Sequence, residues 1–287
     1  MAFLFYFDDM EFVIINGNIL EMSKAGLSTD DHSYRYGDGL FETMKITNGN
    51  ILLEEYHFER LFSGLETLKF KSPLLFTKQK ISEQVKELCK KNSNEESAKV
   101  RLSVSRGSGG LYDCDNIFSY LIESWPLEQN HNVLNENGLT IDVFPDALKS
   151  IDKFSNLKSA NYLAYVMAAI WAKENRLNDA LILNQHNRIC DSTIANVFWV
   201  KDLKTFTPSL SEGCVAGVMR KKILELTTNN SGLLVLESIL TEEILLQADE
   251  VFLTNAITGI RWVKECRGKV YKNKISSKIF TALDQTI

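Results

Sequence analysis

Short strand-like and helix-like segments alternate along both halves of this chain, and this alternation most constrains its fold. Asn16-Gly17 and Asn48-Gly49 can each adopt the positive φ angles of a tight turn, so they predict β-hairpins over residues 12–20 and 40–53. Apolar residues at helical spacing then predict helices over 54–68 and 77–91. Residues 100–104 and 117–122 are apolar or alternating, as is typical of strands.

A polar stretch with Pro126 and several asparagines follows, and it predicts an interdomain linker at about 125–135. Beyond it the pattern predicts strands at 139–143, 180–184, 188–191 and 196–200, a turn at Thr207-Pro208, and helices from about 163 to 175, 217 to 226 and 276 to 283. The chain has 287 residues, which is enough for two cores. We therefore expect an α/β (mixed α+β) protein with domains at 1–124 and 136–287 and a cleft between them.

The bulk composition excludes several classes of protein. A net charge of -5 argues against a nucleic-acid partner, and no apolar run approaches ~18 residues, so no membrane span is expected. Residues 1–7 are apolar but lack a basic leader, which favours an N-terminal strand or a loose tail over a signal peptide. Five scattered cysteines without CxxC spacing and four dispersed histidines predict a reducing, cytoplasmic location and no metal site.

Lys158 is the strongest candidate for chemistry. It stands before the apolar run 163–172, and burial there would favour a neutral, reactive amine over the solvated surface lysine that is the commoner case. Asp191 follows after a strand and a turn. A lysine can form a Schiff base with a carbonyl cofactor, and a carboxylate can keep a pyridine nitrogen protonated. Asp191 alone could equally be a turn or helix-capping residue.

Two further segments suit a phosphate group. Arg60 lies beside the core face of its predicted helix, where it is either an exposed cation or a phosphate ligand. Residues 213–220 place Gly217 at a helix start, which either caps the helix or lets phosphate approach the backbone N–H groups. Neither GxxxxGK nor GxGxxG occurs, which argues against a P-loop or a Rossmann site.

In order along the chain, these segments resemble the class IV aminotransferases, which are pyridoxal-phosphate enzymes of fold type IV. The resemblance rests on residues 36–43, 57–61, 158–162, 191–198, 207–220 and 254–256. It implies that Lys158 forms the imine with pyridoxal 5'-phosphate and later moves protons. It also implies that Arg60 binds the phosphate with the amides of Val218 and Met219 and the Asn255-Ala256 turn. Tyr162 would lie near the ring hydroxyl.

The resemblance assigns further residues to the site. Asn196 and Gly217 would contact the cofactor, and Asp191 stands where the family usually has glutamate, one methylene longer. The substrate side would contain Tyr36, Phe41, Glu42 and Ile257. A homodimer acting on a small amino substrate is implied, in which the partner subunit can contribute to the site.

The family includes branched-chain and D-amino-acid aminotransferases and 4-amino-4-deoxychorismate lyases of the folate branch. Three features favour the lyase: the loop 105–112, Met219 where aminotransferases often have threonine, and Asn255-Ala256. Arg106 in that loop is our candidate for a substrate carboxylate. The alternatives are an aminotransferase using 2-oxoglutarate, a non-catalytic binding protein with this fold, and an unrelated phosphate-binding α/β protein.

Overall fold

The computed structural model describes residues 11–112, 118–128, 133–228 and 234–286. The predicted N-terminal strand or tail at 1–7 and the centre of the predicted linker lie outside these residues. Two compact units make up the chain: Met1–His131 with Lys158–Asn161, and Asn132–Leu157 with Tyr162–Ile287.

The first unit is built on a six-stranded antiparallel sheet in the order β2-β1-β6-β5-β3-β4. Its strands are β1 (Phe12–Ile15), β2 (Asn18–Glu21), β3 (Gly39–Thr47), β4 (Asn50–Ile51), β5 (Ser97–Ser105) and β6 (Ser119–Pro126). Its helices are α1 (His32–Tyr36), α2 (Glu54–Thr67) and α3 (Lys78–Lys91). Helix α2 packs on β3, and α3 packs on β1 and β6.

Both predicted hairpins are confirmed. Ile15 pairs with Asn18 across Asn16-Gly17, and Thr47 pairs with Asn50 across Asn48-Gly49. All four turn residues have positive φ angles. The buried residues Phe58, Leu61 and Leu65 form the core face of α2, as their spacing predicts.

Among its described residues, the second unit contains nine strands. Eight lie in the order β12-β11-β10-β13-β14-β7-β8-β9, and β15 pairs with β14. They are β7 (Leu139–Lys149), β8 (Asp179–Asn184), β9 (Ile189–Ser192), β10 (Asn196–Lys201), β11 (Lys204–Pro208), β12 (Val235–Ser238), β13 (Glu250–Asn255), β14 (Gly259–Cys266) and β15 (Lys269–Val270). The helices are α4 (Leu163–Glu174), α5 (Val218–Thr228), α6 (Glu242–Gln247) and α7 (Lys274–Asp284). Helix α4 packs on β7 and β8, and α7 on β13 and β14.

The mixed α/β class is confirmed, and three local expectations need correction. Thr207-Pro208 is the end of strand β11, because both residues pair in parallel with β12. Strand β7 continues to Lys149 through a bulge between Val143 and Leu148. Lys158 was expected in the second domain, but its segment belongs to the first unit, because its backbone bonds to β3.

No helix among the described residues combines the length and the apolar character that crossing a membrane requires.

Candidate active site

Main-chain hydrogen bonds to β3 fix the segment that carries Lys158. The Phe41 N–H donates to the Lys158 carbonyl over 2.9 Å, and the Ala160 N–H donates to the Gly39 carbonyl over 2.8 Å. Ser159 forms an isolated bridge with Leu40. The lysine therefore extends from a backbone held like an added strand rather than from a loose loop.

The Phe41 ring lies next to this lysine. The Lys158 Nζ atom is 4.4 Å from the ring centroid, and the Arg101 guanidinium carbon is 3.9 Å from it. A cation at such distances is attracted by the negative face of the ring. Phe41 was predicted on the substrate side, and the structure places it against the lysine amine.

The Glu42 side chain lies on the face of β3 opposite to that of Phe41, because successive side chains on a strand alternate between its two faces. It is buried and accepts a hydrogen bond from Arg60 Nε over 2.8 Å and a second bond from Arg60 Nη2. His57 Nδ1 lies 2.6 Å from the same carboxylate. His57 and Arg60 are three residues apart on α2, which places them on one helix face. Glu42 thus holds Arg60, a role that we did not predict for it.

The charges in this cluster follow from burial and pairing. Burial alone would raise the pKa of Glu42, but the Arg60 charge and the bonds from His57 and Arg60 outweigh it and lower that pKa to about 2. Burial lowers the pKa of His57 despite the neighbouring Glu42, so His57 is neutral and donates from Nδ1. Its buried Nε2 meets no hydrogen-bond partner in the described part of the chain.

Arg106 contacts a carboxylate of the protein itself. Its Nε donates to Asp38 over 2.6 Å, and its Nη2 donates to Asp38 and to the Leu68 carbonyl. The guanidinium also stacks on Phe70, 4.3 Å from the ring centroid. These bonds anchor the loop after β5, and the proposed contact with a substrate carboxylate stays a prediction. Tyr36 ends α1, half-exposed, with its ring edge-to-face against His32.

In the second unit, Asp191 is the centre of a buried polar cluster. Its Oδ2 accepts from Lys149 Nζ over 3.0 Å, from the Tyr165 hydroxyl over 2.9 Å and from the Val215 N–H over 3.0 Å. Its Oδ1 accepts from Asn196 Nδ2 over 3.0 Å. Burial and the adjacent Asp191 raise the pKa of Tyr165, so its hydroxyl keeps the proton that it donates.

Asn196 connects this cluster to the start of α5. Its amide also donates to the Val215 carbonyl over 2.8 Å. A Cβ atom on Gly217 would lie 1.8 Å from Asn196 Oδ1, so a side chain at this position would force Asn196 to move. Helix α5 begins directly afterwards, and the first N–H groups of a helix, here those of Val218 and Met219, have no partner within it.

Tyr162 precedes α4 and stacks on Tyr165, with ring centroids 4.3 Å apart. Its hydroxyl lies 3.2 Å from the Thr193 carbonyl. Asn255 closes the turn after β13, since its Oδ1 accepts from the N–H groups of Ile257 and Thr258. Ala256 lies within this turn.

The donor chemistry of these residues fits pyridoxal phosphate. In the first unit, Lys158 has an amine of the kind that reacts with an aldehyde, and Arg60, oriented by Glu42, has a guanidinium that suits a phosphate. Taken by itself, the second unit has in Asp191 a carboxylate of the kind that pairs with a ring nitrogen. The start of α5 has N–H groups beside a glycine, which suits an anion. The individual assignments remain predictions.

Comparison with known proteins identifies the class. The family model for class IV amino-transferases matches residues 39–266, so the chain belongs to that family. It is therefore a pyridoxal-phosphate-dependent enzyme, as predicted, and an unrelated phosphate-binding protein is excluded.

Individual relatives carry two different activities in their names. The chain is 33% identical over 234 residues to aminodeoxychorismate lyase of Vibrio harveyi, covering 80% of this chain and 83% of that protein. It is 30% identical over 283 residues to a putative branched-chain-amino-acid aminotransferase of Methanocaldococcus jannaschii, covering 95% and 94%. The branched-chain amino acid aminotransferase structure from Escherichia coli has the same fold, with a TM-score of 0.85, 21% identity and coverage of 96% and 94%.

Sequence reasoning missed His57, Lys149 and Tyr165. His57 had a usable signal, because it precedes Arg60 by three residues on an amphipathic helix. Tyr165 likewise follows Tyr162 by three residues. Lys149 had no local signal, since 42 residues separate it from Asp191.

Proposed function

We propose that this enzyme is a 4-amino-4-deoxychorismate lyase, which forms p-aminobenzoate and pyruvate. The observation that carries the proposal is the 33% identity to the Vibrio harveyi lyase across four-fifths of the chain. The loop 105–112, Met219 and Asn255-Ala256 support it from the sequence.

The chain's residues have defined tasks in this reaction. Bound pyridoxal phosphate supplies an electron sink for the carbon that bears the substrate amine. Lys158 Nζ removes the proton from that carbon as a general base, an effect typically worth ~10²–10⁴-fold in rate. The enolpyruvyl C–O bond then breaks, the six-membered ring becomes aromatic, and the enolpyruvate takes up a proton to become pyruvate. No co-reactant is needed, because the two products together contain all atoms of the substrate.

A class IV aminotransferase is the second candidate, and the relative from Methanocaldococcus jannaschii favours it, because that match spans 95% of the chain. The two reactions share the proton removal by Lys158 and differ afterwards. A transaminase has no leaving group to expel and requires a keto acid such as 2-oxoglutarate to complete its cycle.

One assay separates the two candidates. Purified protein loaded with pyridoxal phosphate is mixed with aminodeoxychorismate alone, and pyruvate and p-aminobenzoate are quantified. We expect equal amounts of both products without any keto acid, and no product from Lys158→Ala. Turnover of branched-chain or D-amino acids that depends on 2-oxoglutarate, with no pyruvate from aminodeoxychorismate, would refute the lyase.

The proposal includes a homodimer, as the family resemblance implies, and a cytoplasmic location, which the scattered cysteines favour. Light scattering on the purified protein measures the mass directly, and a monomer at assay concentrations would contradict it.

A further inference from the structure

The hydrogen bonds to Asp191 are distributed unequally over its two oxygens. Oδ2 receives three donors, from Lys149, Tyr165 and the Val215 N–H, whereas Oδ1 receives one, from Asn196, among the described residues. A carboxylate oxygen offers about two lone-pair positions. Oδ2 is therefore saturated, and the remaining acceptor position of this carboxylate is on Oδ1.

The donors also differ in charge. Of these four, only Lys149 is a cationic side chain; the others are a phenol, an amide and a backbone N–H. Both ends of the ion pair are shielded, with 12% of the Lys149 side chain and 2% of the Asp191 side chain exposed. Lys149 Nζ also lies 5.4 Å from the Tyr165 ring centroid, so two elements of the fold hold it in place.

The two thiols and the phenol beside the pair are neutral, and the nearby cation Arg220 is paired with a carboxylate. Burial raises the pKa values of Cys190 and Tyr165 and brings that of Cys214 to about 12. Tyr162 stacks on Tyr165, and Arg220, whose charge acts on Cys214, is paired with Glu237. The local charge balance at Asp191 therefore depends on Lys149.

We propose that Lys149 is a positioning residue that turns Asp191 so that Oδ1 is presented to the cofactor ring nitrogen, while its charge limits how much positive charge the cofactor retains. This inference rests on the proposed role of Asp191 in the enzyme. It explains how an aspartate, one methylene shorter than glutamate, could serve there: the donors on Oδ2 fix the direction of its carboxylate.

The effect of the Lys149 charge on protonation of the bound cofactor has a predictable direction. A cation close to a titrating group disfavours the protonated, positive form of that group. Removing the charge at position 149 should therefore favour protonation of the bound cofactor. The pH midpoint of the cofactor's visible absorbance change should rise.

Three variants separate position from charge. Lys149→Gln keeps a hydrogen-bond donor but loses the charge, and Lys149→Arg keeps the charge. Tyr165→Phe is the matched control, since it removes a neutral donor from the same oxygen. For each loaded protein, the visible band is titrated against pH, and kcat and KM for the substrate are measured. Thermal unfolding shows whether each variant folds. If Lys149→Gln does not fold, Lys149→Met is used in its place.

We expect the midpoint of Lys149→Gln to rise by about 0.5–1 pH unit, with kcat reduced at least about tenfold and KM changed by less than about twofold. Lys149→Arg should restore the wild-type midpoint, and Tyr165→Phe should not shift it. A wild-type midpoint and kcat in Lys149→Gln, or an equal shift in Tyr165→Phe, would overturn the inference. Failure of the wild-type protein to bind cofactor would instead refute the proposed function.

Discussion

At the scale of single residues, the Glu42–Arg60 ion pair makes a measurable claim about stability. Glu42 is buried, and pairing lowers its pKa from 4.5 to about 2. A shift of that size corresponds to about 3 kcal/mol of stabilisation at neutral pH. We expect Glu42→Gln to lower the free energy of unfolding by about this amount, measured by urea denaturation at pH 7.

The stabilisation by the Glu42–Arg60 ion pair should depend on pH in a definite direction. Because the folded-state pKa of Glu42 lies below its unfolded value, the stabilisation is complete above pH 4.5 and is lost as the pH falls toward about 2. The difference between wild type and Glu42→Gln should therefore shrink on acidification. Glu55→Gln, which breaks an exposed pair with Lys78, is the control and should change stability by less than about 0.5 kcal/mol. A constant difference from pH 7 to pH 3 would count against the buried pair.

Single residues also show what the sequence could reveal about the site. Lys158 and Asp191 were predicted as site residues because their flanking residues form local patterns. The partners of Asp191 were not predicted from the sequence. Lys149 and Tyr165 lie 42 and 26 residues away from it along the chain, and they meet it only when β7, β9 and α4 pack together. The same holds for Glu42, whose partners His57 and Arg60 lie on a separate helix.

At the scale of elements, the start of α5 depends on one glycine. A side chain at Gly217 would collide with Asn196 Oδ1, and Asn196 is itself tied to Asp191 and to the Val215 carbonyl. We expect Gly217→Ala to displace Asn196, to destabilise the protein by about 1–3 kcal/mol, and to weaken pyridoxal phosphate binding. Urea denaturation and a fluorescence titration with the cofactor measure the two effects.

Gly26 provides the matched control. A Cβ atom there would meet nothing within 4 Å. Gly26→Ala should therefore leave cofactor affinity unchanged and stabilise the protein slightly, by about 0.4–1 kcal/mol, through the unfolded chain. If both alanine variants bound cofactor equally well, the close contact at Gly217 would have no role in the site.

The elements that the sequence predicted are those specified by neighbouring residues. The hairpins at Asn16-Gly17 and Asn48-Gly49 need only local turn geometry, and α2 and α3 show their apolar faces directly. Thr207-Pro208 looked like a turn because proline lacks an N–H, yet it ends a strand whose partner, β12, comes some 30 residues later. Pairing with a distant strand cannot be read from a local pattern.

At the scale of the whole molecule, cofactor binding should be visible as stability. A ligand that binds only the folded chain stabilises it by about 2.7 kcal/mol at a hundredfold excess over its dissociation constant. Lys158 would add a covalent link to that binding. We therefore expect pyridoxal phosphate to raise the melting temperature of the wild-type protein clearly more than an equal concentration of inorganic phosphate does.

One variant separates the covalent link from the rest of this stabilisation. Lys158→Ala removes the amine but leaves the phosphate ligands, so it should bind pyridoxal phosphate reversibly, show a smaller rise in melting temperature, and lose the cofactor on gel filtration even after borohydride treatment. Wild type treated with borohydride should retain it, with the mass of one reduced cofactor per chain. Lys153→Ala is the control, because its amine lies over the exposed ring of Phe154 and should not matter. Retention of the cofactor by Lys158→Ala after reduction would show that another lysine forms the link, and the assignment of the site would be wrong.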